Sequence, residues 1–238
     1  MPAWNLRRLG GLTAILFLSI ALWDAVGLDL PFARMFGSSM GFPLRSNHAF
    51  VLAFHEIPRT LSSILVLGLL LGIFKPFSFL KRLSKSERSQ LAFSVLGAML
   101  LVTLFKSMNT TSCPWDLSEF GGRANYVSHW GFGVRDLGPG HCFPAGHASS
   151  AFGFLAGWFV IRRAAPQVSG RWWVLSLLLG LVLGFSQQMR GAHYLSHTLW
   201  TAWICWTFGL VVEICVQQYS RAKKASALES NPIQESLQ

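Results

Sequence analysis

The sequence predicts an all-α integral membrane protein, a bundle of six transmembrane helices followed by a polar tail. Three observations predict it. Of 238 residues, 52% are hydrophobic and only 13% are charged, about half the charged fraction of an ordinary soluble domain. Apolar runs recur along the whole chain, several close to the ~20 residues that cross a hydrocarbon core. Lysines and arginines gather in alternate connections between those runs.

The first run, residues 11–30, follows Arg7 and Arg8. It has the basic flank of a signal peptide, but it is long and no small-x-small cleavage site follows, so it reads as a retained first helix. Residues 50–74 and 91–105 give the second and third helices, joined by a short basic connection from Lys75 to Arg88. Residues 148–161, 172–186 and 199–216 give the last three, the shorter ones extended by flanking glycine, serine or tryptophan. The membrane domain is therefore expected over residues 1–220. The tail, 221–238 (RAKKASALESNPIQESLQ), is polar and expected to be disordered.

Orientation follows from charge. With the N-terminus in the cytoplasm, Arg7, Arg8, the 75–88 connection, Arg162, Arg163, Arg171 and the RAKK segment all lie inside, as the positive-inside rule requires. The net charge of +10 then reads as anchoring to an anionic inner leaflet, not as a nucleic-acid footprint. The same topology puts all seven histidines (His48, His55, His129, His141, His147, His193 and His197) on the outer side or at outer helix ends. Both termini are expected in the cytoplasm of a bacterial inner membrane, with any site facing the periplasm.

Three patches stand at outer helix ends: KSMNTTSCPWDL from Lys106, CFPAGHASS from Cys142, and SQQMRGAHYLSHTLW from Ser186. In the second, Pro144 and Gly146 permit a tight turn, and a helix start near His147 would offer unpaired N–H groups to an anion. Lys106 and Arg190 add full positive charge suited to a phosphate. His147 and His193 are the groups able to act as nucleophile or general acid near neutral pH. Two cations, a helix N-terminus and two histidines suit phosphoryl transfer, where positioning and charge neutralisation dominate.

These patches resemble the signatures of the type-2 phosphatidic acid phosphatase superfamily, which also includes vanadium haloperoxidases: Lys-x6-Arg-Pro, Pro-Ser-Gly-His and Ser-Arg-x5-His-x3-Asp. Lys106 and Pro114 match the first, with Cys113 in the arginine position. Pro144, Gly146 and His147 match the second, with Ala145 for serine; Ser186 and His193 match the third, with Gln187 for arginine and His197 for aspartate. The resemblance implies a six-helix fold of that kind and a membrane phosphatase needing no metal or other cofactor. It makes His193 the nucleophile that forms a phosphohistidine, His147 the acid for the leaving group, and Lys106, Gly146 and Gln187 part of the phosphate cradle.

The departures remove two guanidinium groups and a hydroxyl, and with them charge-assisted bonds of about 1.5–3 kcal/mol each. Arg190, three residues before His193, is expected to supply one lost guanidinium, with Arg123 or Arg135 from the long outer loop as the second and Ser149 as hydroxyl support. His197 stands where the family aspartate orients the nucleophile and is expected to accept a hydrogen bond from His193. Asp116 or Glu119 is expected to carry the missing negative charge. Cys113 and Cys142 are candidates for a periplasmic disulfide tying two walls of the pocket, the alternative being two buried thiols. His55, Glu56 and Arg59 are explained as well by interfacial snorkelling as by contact with a substrate. Trp115, Trp130 and Trp200 read as interfacial belt residues.

The expected partners are the bilayer and a lipid phosphate, of the undecaprenyl diphosphate, phosphatidylglycerol phosphate, phosphatidate or lipid A type, with the oligomeric state left open. Other readings stay alongside: a lipid-to-lipid phosphotransferase, a lipid or anion binding or transport protein with a degenerate site, and a metal-dependent hydrolase.

Overall fold

The computed structural model describes residues 6–229. The regular elements among the described residues are helices, with two isolated β-bridges and no strand. Helix α1 spans Leu6–Val26 and α2 is a short turn at Asp29–Ala33. Helix α3 spans His48–Gly72 and α4 Lys85–Met108. After a long loop come α5, Ser149–Phe152, and α6, Trp158–Ala164, joined by a 3-10 turn at Gly153–Gly157. Helices α7, Pro166–Met189, and α8, Leu195–Glu229, complete the chain.

Local chemistry sets the boundaries. Gly27, at φ +72, ends α1 in the left-handed conformation that glycine alone adopts cheaply. The Asn47 side chain caps α3 through the Phe50 amide. Ser84 and Glu87 form a reciprocal capping box that starts α4, and Pro166 occupies the first turn of α7.

Five helices (α1, α3, α4, α7 and α8) are long and apolar enough to cross a membrane. The chain is thus a multi-pass membrane protein by length and composition. The sixth expected span, residues 148–161, forms the α5–α6 run. Gly153 and Gly157, poor helix formers, sit in its 3-10 turn. The run packs inside α4, α7 and α8, with Phe152, Ala156, Phe159, Val160 and Ile161 fully buried. The other helices turn large apolar side chains outward: Leu18 and Leu22 on α1 are each 64% exposed, and Ile64, Leu65 and Leu71 on α3 are similar. An outside as apolar as the inside suits lipid as solvent.

Small residues let these helices approach. A Cβ on Gly209 of α8 would meet the Ala156 backbone at 2.5 Å. At the end of the bundle away from the histidines, buried Glu213 accepts from Gln90 and Gln217, both at 2.8 Å, and pairs with Arg163 at 3.4 Å. Helix α8 runs past Ser220, where the polar tail was expected to begin, and continues through Glu229. Arg221–Glu229 is rich in good helix formers, and an existing helix propagates through such residues without a new nucleus. The expected disorder of residues 230–238 lies outside the described residues.

Candidate functional site

The three patches meet at one end of the bundle: the C-terminus of α4, the turn before α5, and the α7–α8 corner. They line a cavity of about 730 Å³. Lys106, Cys113, Asp116, Gly146, His147, Gln187, Arg190 and His193 all face it. So do Arg45, His55 and Arg59, from the segment before α3 and its first turns, together with Trp115 and His141.

The α7–α8 corner places His193. Gly191 takes φ +73 there, and a Cβ on it would collide with Phe42 at 2.3 Å, so glycine is required. His193 is 5% exposed. Its ring hydrogen-bonds the Cys142 backbone, and its Nδ1 lies 3.7 Å from the Cys142 sulfur. Burial, then the nearby Lys106 charge, holds this imidazole well below its ordinary pKa. A neutral ring keeps the lone pair a nucleophile needs.

His197 does not accept from His193 as expected; the two ring centroids are 6.0 Å apart. Instead His197 Nδ1 donates to the Cys142 carbonyl at 3.1 Å. One backbone carbonyl thus orients both imidazoles, because the side chain at 197 has no acceptor oxygen to offer. That carbonyl is anchored: Cys113 and Cys142 are joined, with Cα atoms 5.1 Å apart.

Gly146 packs closely against the lysine beside it, where a Cβ would sit 3.1 Å from Lys106 Cδ. The helix begins at Ser149, later than expected, and the Ser149 and Ser150 amides already bond to the Gly146 and His147 carbonyls. The free N-terminal amides expected there are therefore largely engaged in the turn. Ser149 donates to the Gly146 carbonyl at 2.6 Å and does not line the cavity.

His147 Nε2 donates to the Phe54 carbonyl at 2.8 Å, which lies in a π turn of α3 at Leu52–Glu56. Such wide turns turn a carbonyl off the helical ladder. Gln187 reaches the same oxygen at 3.4 Å. Burial and the charge of His55 pull the His147 pKa down to about 4. His55 stacks on His147 with centroids 4.5 Å apart and planes at 20°, and its Nδ1 meets Glu56 at 2.7 Å.

Arg190 supplies a guanidinium at the cavity, held by Gln187 Oε1 at 2.8 Å and the Arg45 carbonyl at 3.1 Å. Trp115 is not a belt residue: Arg45 and Arg190 both stack on it, at 4.9 and 5.7 Å. Arg123 and Arg135 are exposed and outside the cavity. The loop turns their neighbours inward instead, with buried Asp136 taking the Ser112 amide and hydroxyl. Arg45 and Arg59 fill the places those arginines were expected to take. Arg59 was legible as a basic residue one turn after His55; Arg45 carries no sequence signal.

Asp116 lines the cavity, its carboxyl pushed up by burial, and makes no bond to either imidazole. Glu119 is tied to Arg34 at 2.5 Å. The buried acids near His197 are Asp24 and Asp29. Asp24 accepts from Trp130 at 3.0 Å and Trp200 at 2.7 Å, with His129 at 3.2 Å. Trp200 is 3% exposed, a tether and not a belt residue.

Two groups bring three metal-ligating atoms together among the described residues: Cys113, Cys142 and His193, and Asp29, His129 and His197. In the first the sulfurs are spent on each other. In the second, Asp29 already accepts from Trp23 and from the amide and hydroxyl of Ser196, so it serves as hydrogen-bonded support.

A neutral imidazole beside four cations can attack a phosphate and hold the charge that develops. Among protein families, the model described as PAP2 superfamily matches residues 89–221. No curated protein and no solved structure matches the chain.

Proposed function

The chain belongs to the PAP2 superfamily, and on that premise we propose that it is a lipid phosphatase of the bacterial inner membrane. It hydrolyses a lipid phosphate or diphosphate at the periplasmic face, through a phosphohistidine and without a metal. The observation that carries this reading is buried, neutral His193 on the wall of a cavity that also holds Arg45, Arg59, Lys106 and Arg190. With the Nδ1 side of His193 turned to Cys142, Nε2 is the nitrogen that attacks phosphorus. Lys106 and the three arginines neutralise the equatorial oxygens.

The lipid part of the reading is supported by a second cleft. It is lined by Ser62, Ser63, Val66, Leu67, Leu70, Leu96 and Met99, and it shares Arg59 and Ser150 with the charged cavity. A head group in the cavity thus has an apolar path for its chain along α3 and α4.

The test is inorganic phosphate release by the detergent-solubilised protein from a panel of lipid phosphates, with EDTA present. Wild type is expected to release phosphate, and His193→Ala to lose about three orders of magnitude or more, as loss of a nucleophile does. Loss of activity in EDTA alone would favour a metal-dependent hydrolase. Label passing only to a second lipid would make the protein a phosphotransferase. Lipid binding without turnover, unchanged in His193→Ala, would make it a binding protein.

A further inference from the structure

We propose that the substrate is a lipid diphosphate, with its terminal phosphoryl group against His193 and its second against Arg59. The inference rests on the phosphatase reading above and narrows its substrate: the oxygens that Arg59 meets are those of the second phosphoryl group. The four cations of the cavity are not equivalent. Arg190 is braced by Gln187 and the Arg45 carbonyl, and Arg45 donates to the Trp115 carbonyl at 3.2 Å. Both stack on the Trp115 ring, so they form one fixed wall. Lys106 and Arg59 make no side-chain hydrogen bond or ion pair among the described residues. Their donors are left for a ligand.

Those two free cations stand apart. Lys106 leads the charges that bear on His193. Arg59 lines both the charged cavity and the apolar cleft, as Ser150 does. Helix α3 sets the separation. His55 stacks on His147 at 4.5 Å, and Arg59 follows four residues later, about 6 Å farther along the helix axis. Ser62, Ser63, Val66 and Leu70 of the cleft continue down the same helix. A lipid chain lying in the cleft therefore brings its head group past Arg59 before it reaches the histidines. A monophosphate held at His193 would leave Arg59 facing the uncharged part of the lipid. A diphosphate presents an anionic group to each free cation. A phosphate monoester carries about −1.5 to −2 charges at pH 7, and a second phosphoryl group brings the ligand closer to balancing the four cations.

The steps balance. His193 Nε2 bonds to the terminal phosphorus as the bond from that phosphorus to the bridging oxygen breaks. The bridging oxygen keeps the electron pair, and the lipid monophosphate leaves with its charge against Arg59. Water then attacks the terminal phosphorus, and the N–P bond breaks to return neutral His193. One water is consumed: one of its protons stays on the inorganic phosphate and the other passes to solvent.

The test measures initial rates of phosphate release by the whole protein on two matched pairs, farnesyl diphosphate with farnesyl phosphate, and dioctanoylglycerol diphosphate with dioctanoylglycerol phosphate. Wild type is expected to favour the diphosphate of at least one pair by about tenfold or more in kcat/KM, with the lipid monophosphate accumulating first. The pair that turns over faster names the chain. Arg59→Gln is expected to cut that preference about tenfold or more, losing more on the diphosphate than on the monophosphate, and Arg59→Lys to recover part of it. Remaining monophosphate turnover reports that the variant is folded; where none remains, the wild-type ratio and Arg59→Lys decide. Equal rates or a monophosphate preference in wild type, a preference unchanged in Arg59→Gln, or release of diphosphate with the free alcohol would each overturn the assignment and leave the phosphatase reading standing. Wild type inactive on all four lipids overturns that reading, and the assignment falls with it.

Discussion

Gln187 and Arg190 carry an exchange by which the altered signature still brings a guanidinium to the cavity. The family arginine position holds an amide, and the guanidinium arrives from three residues later, braced by that amide at 2.8 Å. Arg190→Gln is therefore expected to lower kcat/KM by about 10–100-fold, one charge-assisted bond's worth. The double exchange Gln187→Arg with Arg190→Gln is expected to recover part of the loss in the same assay. His147 gives a second residue-scale expectation. Its folded pKa of about 4 lies below its ordinary 6.5. Between those values the unfolded chain binds a proton that the folded chain does not, so stability rises with pH through the window and falls on acidification. His193, also held low, adds in the same direction. Thermal melts in detergent should show a midpoint dropping from pH 7 to pH 4.5, and a shallower drop for His147→Asn. At this scale the sequence pointed to Lys106, His147 and His193 through motif spacing, and to Arg190 through its place three residues before His193, and all four line the cavity. It did not disclose Arg45, nor separate His55 from an interfacial residue, since their approach depends on how α3 packs.

Among elements, the cysteine bridge and the π turn set the site's precision. The bridge closes a separation of 29 residues, and removing it as Cys113→Ser is expected to cost about 2–4 kcal/mol of stability. It is also expected to lower kcat about tenfold or more, because a carbonyl displaced by an ångström misaims both imidazoles. Non-reducing mass spectrometry should find the Cys113 and Cys142 peptides joined; two alkylated thiols would rule that out. Helix positions were legible from hydropathy, with ends extended by capping groups such as Ser84–Glu87. The π turn and the 3-10 break at Gly153–Gly157 were not, since each answers to packing partners far away in sequence.

Across the whole molecule, the charge pattern gives a topology that can be probed directly. With Cys205 and Cys215 replaced, a thiol reagent confined to the periplasm should reach a cysteine at exposed Asn125 and miss one at exposed Ser86; the reverse pattern would invert the orientation. The gathering of the histidine-bearing patches at one end of the bundle was legible from that pattern. The buried course of residues 149–164 was not, because hydropathy alone does not separate a lipid-facing run from one enclosed by its neighbours. The bridge that steadies the Cys142 carbonyl forms only where thiols are oxidised. On the proposed reading, a chain whose cysteines are still reduced holds His193 on a slack mount, and phosphate release is expected to rise as the bridge closes.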